Sequence, residues 1–145
     1  MKKNAPGILA ALLVFLFFYT AVAKLSNLER FEAELLNQTI PKWSVPMLLW
    51  LLPVSELLAV ALLVRAPTRL AGFYGSAALM LVFTLYMGLV LLDIFDREPC
   101  SCGGVLKSMG FEVHFIFNLL FLLLSITGIH LLKSENRRQV TDGKI

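Results

Sequence analysis

The chain is poor in nearly everything that soluble catalysis uses. It has two cysteines and two histidines in 145 residues, and Asp, Glu, Lys and Arg together make up only 16% of it. There is no Gly-rich phosphate loop, no low-complexity tract and no internal repeat, so any chemistry must come from a few side chains. A closed zinc site wants four ligands, and the sequence supplies few soft donors for one.

Apolar residues are what the chain has instead. They make up 58% of it, with eleven phenylalanines and a mean hydropathy of +0.78, well beyond a soluble domain of this size. This composition predicts one small membrane domain over residues 1–145, with the lipid bilayer as its first partner. In a soluble protein a net charge of +3 and a pI near 9.0 would suggest nucleic acid. Here the basic residues flank long apolar runs, where their role is orientation in the bilayer.

A helix needs about 20 mostly apolar residues to cross a hydrocarbon core about 30 Å thick. Residues 7–23, 45–64, 70–92 and 113–132 meet or approach that length. Within lipid each must satisfy its own backbone, so each is read as a helix. The expected fold is an all-α, four-helix transmembrane bundle. "MKK", the first apolar run and "AVA" at Ala21 to Ala23 also resemble a signal peptide. Cleavage there would leave three helices with the termini on opposite sides, so the run is read as a retained span.

Between the spans, one side holds Lys2, Lys3, Arg65, Arg69, Lys133, Arg137, Arg138 and Lys144, and the other Lys24, Arg30, Lys42, Arg97 and Lys107. By the positive-inside rule, eight against five puts both termini in the cytoplasm, in an inner (cytoplasmic) membrane. Cys100 and Cys102 then face the oxidising side, where disulfides persist.

The first outer loop spaces Leu25, Leu28, Phe31, Leu35 and Leu36 as on one helix face, with charges opposite. It predicts an amphipathic helix, lying at the interface, forming a lid over the cysteine loop or offering a partner a face. "SNLE" fits a capping box, with Ser26 as N-cap and Glu29 at N3.

The second outer loop, "DIFDREPCSCGGVLKSMG", holds both cysteines. Pro99 opposes helix at Glu98, and Gly103, Gly104 and Gly110 ease turns, which predicts a bent loop. Cysteines one residue apart can bond only if the backbone turns. So small a ring removes little chain entropy, and strained or exposed disulfides are the labile ones. The pair is therefore read as redox-active, with a structural clip and a Cys100, Cys102 and His114 metal grip as the competing readings.

Two further polar residues fall within the spans. Glu56, eleven residues after Val45 and about 16 Å along a helix, must face the bundle interior, be protonated or find a partner. Pro53 frees the Leu49 carbonyl and bends this helix, and Ser55 could satisfy what is freed. His114 and Asn118 share a face of the last helix. His114 stands on the cysteine side, where an imidazole could stabilise a thiolate or take its proton, or simply reach toward headgroups. His130 belongs to the opposite interface. Phe111, Phe115, Phe117 and Phe121 pack or face lipid, and a quinone is the cofactor whose ring such a surface could take.

Lys24 after the first span, Phe31, Pro46, "PVSELL" with Glu56, Arg69 and "CSCGG" together resemble the MauE branch of the DoxX-like membrane proteins. The resemblance covers nearly the whole chain, and "CSCGG" is its most specific part. It implies four helices and work with a periplasmic thioredoxin-like protein in disulfide formation or maintenance. The architecture is also similar to vitamin K epoxide reductase-like enzymes, which pass electrons between cysteines and a quinone. This chain lacks their second cysteine pair and CxxC. The residues expected to carry the chemistry are Cys100 and Cys102, with His114 and Glu56 in support. The other reading is a non-catalytic membrane chaperone or subunit.

Overall fold

A computed structural model describes residues 4–94 and 110–143. Its helices are α1 (Ala5–Ser26), α2 (Leu28–Leu36), α3 (Val45–Val64), α4 (Arg69–Leu91) and α5 (Phe111–Asp142), with single 3-10 turns at Lys42–Ser44 and Ala66–Thr68. All but α2 are long and apolar enough to cross a membrane. At 1.5 Å per residue they measure about 30 to 48 Å.

The four long helices form a closed ring. α1 packs on α3 and α5, and α4 joins α3 to α5. Neighbours run antiparallel: Gly72 at the start of α4 lies against Leu63 at the end of α3, and along α5 Phe115 lies against Gly88 and Gly128 against Phe73 of α4. The core is apolar: Leu13, Leu16 and Phe17 of α1 meet Ala59 and Leu63 of α3, and Phe73 and Met80 of α4. Large apolar side chains also cover the outside, Phe15, Leu58, Val82 and Ile116 among them. A helix apolar all round is one buried in lipid as well as in protein.

Small residues set how closely the helices approach. A Cβ on Gly72 would lie 2.8 Å from the Leu63 backbone nitrogen, so α4 crosses α3 in near backbone contact. A Cβ on Gly128 would lie 2.3 Å from the ring of Phe73, which occupies that space on α5. Interior hydroxyls bond within their own helices: Ser76 donates to the Gly72 carbonyl (2.8 Å), Thr84 to Met80 (2.6 Å) and Ser125 to Phe121 (2.9 Å). Among the described residues no buried hydroxyl is thereby left unpaired in the apolar interior.

The ends are closed individually. Thr68 Oγ1 donates to the Leu62 carbonyl (2.9 Å) and Arg69 Nε to Leu63 (3.1 Å), satisfying orphan carbonyls at the end of α3. α4 ends in a Schellman motif, with Ile94 N–H donating to Leu89 and Asp93 N–H to Val90. Asp93 takes the left-handed conformation, φ 51°, that the motif demands. α5 runs ten residues past the apolar stretch that ends at 132, because residues 133–142 are polar but contain no glycine or proline.

α2 is the expected amphipathic helix. It buries Phe31 and Leu35 against Val45, Leu48, Leu49 and Leu52. Its cap differs from the capping-box expectation. α1 continues to Ser26, whose hydroxyl donates back to the Ala23 carbonyl (3.0 Å). Asn27, in a non-helical conformation, caps α2 by accepting from Arg30 N–H (3.0 Å). Pro53 lies inside α3, and Ser55 donates to the Leu52 carbonyl (2.8 Å) rather than to Leu49, the one proline frees. A serine hydroxyl reaches three or four residues back, and Leu49 is six away.

Candidate functional site

α2 and the segment after it roof one end of the ring. The Tyr86 hydroxyl of α4 donates to Gln38 Oε1 (2.7 Å) and lies 3.2 Å from Thr39 Oγ1, so the roof is tied to α4 as well as packed on α3. Beneath it is a cavity of about 270 Å³ with contributions from all five helices. Its walls are mostly apolar, with Phe17, Phe31, Phe83, Phe111 and Phe117 among them, and Lys24, Glu56, His114 and Asn118 add polar groups. Tyr19 and Val82 also line it while exposed on the outside of the bundle, so the cavity reaches the surface that lipid covers.

The charged wall is an ion pair. Glu56 is 1% exposed, and its Oε1 accepts a hydrogen bond from the Lys24 ammonium. Lys24 stands two residues before the end of α1, whereas Glu56 is eleven residues into α3. The lysine side chain leans toward the N-terminus of its helix and the glutamate toward the N-terminus of its own, so the two converge from antiparallel helices. Pairing is what lets either charge remain among apolar helices, since an isolated one would face a large desolvation cost. The ammonium also sits 5.9 Å from the centroid of the Phe31 ring, so Lys24 links α1 to both α2 and α3.

One carboxylate oxygen is left over. Glu56 Oε2 is buried with no hydrogen-bond partner among the described residues. Thr20 adjoins it, but a hydroxyl has one proton, and that of Thr20 goes to the Phe17 carbonyl (3.2 Å).

His114 and Asn118 come from the first two turns of α5. Gly110 caps this helix, the His114 N–H returning to the Gly110 carbonyl at 3.0 Å. Both side chains line the cavity: Asn118 is 5% exposed, and His114 Nδ1 is buried without a partner among the described residues. His130, near the far end of the apolar stretch of α5, is exposed. Phe111 and Phe117 are cavity wall, and Phe117 stacks at a tilt on Phe121, 4.7 Å between centroids.

Glu56, His114 and Asn118 therefore share one cavity. Cys100 and Cys102 lie outside the described residues, as do Pro99, Gly103 and Gly104. The residues flanking that segment, Ile94 after α4 and Gly110 before α5, stand at the roofed end. Among the described residues no three His, Cys, Asp or Glu side chains gather as metal ligands would.

Sequence reasoning used Lys24 for orientation and for the family resemblance, and missed it as the partner of Glu56. The signal was available: a lone cation at a helix end and a lone intramembrane carboxylate each need a partner. The Tyr86 to Gln38 tie had no such signal.

A search of curated proteins and of solved structures found no match. The family model of methylamine utilisation protein MauE matches residues 2–131. Three of the residues behind the resemblance, Lys24, Phe31 and Glu56, meet in the structure as one cluster. Four membrane-length helices and a family match over most of its length make the chain a multi-pass membrane protein of the MauE family.

Proposed function

We propose that this protein exchanges thiol and disulfide equivalents with a periplasmic thioredoxin-like partner through Cys100 and Cys102. It does so from the inner membrane, with both termini in the cytoplasm. A thiolate of one protein attacks a disulfide sulfur of the other, a mixed disulfide forms, and the remaining cysteine of the pair resolves it. Two electrons and two protons pass between the proteins, one pair of thiols becoming a disulfide as the other disulfide becomes two thiols. Membership of a family named for methylamine utilisation supports a role in that process.

The observation that carries this reading is where the polar groups gather. Lys24, Glu56 and His114 line one cavity at the end of the bundle where α4 gives way to the cysteine segment. Groups that can hold or move a proton are what thiol chemistry at a membrane surface needs close by. The test is thiol labelling of the full-length protein before and after it meets a reduced, and separately an oxidised, thioredoxin-fold protein. Reversible interconversion of two reactive thiols with none is expected. A pair whose labelling never changes with the partner's redox state contradicts the reading.

A further inference from the structure

We infer that the roofed cavity binds the ring of a quinone or quinol, a flat oxygenated ring on an apolar tail. The cavity, at about 270 Å³, is ample for one or two fused rings and too small for a folded acyl lipid. Its walls carry five phenylalanines from four helices, a surface that favours a flat π-system through offset and edge contacts. Tyr19 of α1 and Val82 of α4 line it while exposed on the lipid-facing side, so a membrane-dissolved molecule enters sideways and its tail stays in the bilayer.

The polar groups define the head. Glu56 on α3 and His114 on α5 belong to helices diagonal to one another in the ring, and each holds a buried polar atom, Oε2 and Nδ1, that has no hydrogen-bond partner among the described residues. Buried polar groups are ordinarily hydrogen-bonded, and these two border the same space. A ring with oxygens at opposite edges would meet both, as a donor to the Glu56 carboxylate in the quinol and through the Lys24 ammonium in the quinone. A simple hydrocarbon chain would meet neither. This binding does not depend on cysteine chemistry, so it is testable in protein that lacks both thiols.

The experiment uses the full chain carrying Cys100→Ser and Cys102→Ser, reconstituted in lipid nanodiscs. The probe is an azido-substituted decylbenzoquinone, photolysed and mapped by peptide mass spectrometry. Competitors are decylbenzoquinone, a decylnaphthoquinone and decanol. Adducts confined to cavity residues such as Phe83 and Met87, displaced by at least one quinone and not by decanol, are expected; the better competitor identifies the ring size. Val82→Trp, at the exposed mouth and harmless to the core, should abolish the adducts. Adducts scattered over lipid-facing residues, equal displacement by decanol, or labelling unchanged in a folded Val82→Trp protein would each overturn the inference.

Discussion

Lys24 of α1, partly exposed, and the buried Glu56 of α3 form an ion pair across two antiparallel helices, with the lysine also resting against the Phe31 ring of α2. One residue thus binds three helices and supplies the charged wall of the cavity. Removing Lys24 alone leaves a carboxylate uncompensated, which in buried pairs costs about 3 to 5 kcal/mol. Lys24→Met should therefore lower the midpoint of thermal unfolding in nanodiscs sharply. Lys24→Met combined with Glu56→Leu should recover most of that loss, because neither charge then remains. A double variant no more stable than Lys24→Met would mean the pair is not coupled.

The contact of Gly128 with Phe73 is tight enough to fix the approach of α5 to α4. Gly128→Leu should destabilise by about 1 to 3 kcal/mol or more, as overpacking does. Adding Phe73→Ala should restore part of the loss by vacating the space. Unfolding in a denaturing detergent series measures both.

The roof should open selectively when its tie to α4 is cut. Tyr86→Phe removes the bond to Gln38 and the contact with Thr39, a change worth about 1 kcal/mol. Hydrogen exchange should quicken in α2 and residues 37–41 and stay unchanged at the far end of α4. Uniform quickening would mean the bond supports the bundle as a whole.

At the exit of α4, Asp93 holds a left-handed conformation. Asp93→Gly should be neutral or slightly stabilising, whereas Asp93→Val should cost about 1 to 2 kcal/mol through contact of its branched Cβ with the backbone. Thermal unfolding of the two variants decides this. Equal stability would mean the turn does not require φ above zero.

The sequence was most informative where lipid imposes one solution. Uninterrupted apolar runs have only the helix as a way to satisfy their backbone, so four helices and the amphipathic α2 were legible from pattern alone. Glu56 announced its own burial, since a carboxylate in an apolar run must turn inward. His114 and Asn118, four apart, were legible as one face. The order of helices around the ring was not, because it rests on local fits such as Gly72 against Leu63 and Gly128 against Phe73. The cap of α2 was misread because Ser26 and Asn27 are equally good N-caps, and the choice turned on α1 extending to Ser26. Lys24 was visible as a charge but not as a partner: 32 residues separate it from Glu56, and only the packing of α1 on α3 brings them together.

The central claim, that Cys100 and Cys102 exchange disulfides with another protein, is tested most directly by trapping. Full-length Cys100→Ser and Cys102→Ser variants are expressed separately in cells, thiols are quenched with acid and alkylated, and the protein is isolated without reductant. At least one variant should carry a covalent adduct with a thioredoxin-fold protein that dithiothreitol releases, because the resolving cysteine is missing. The double variant should carry none. If neither single variant traps a partner, while the double variant retains the function of the unaltered protein, the cysteines do not perform the exchange.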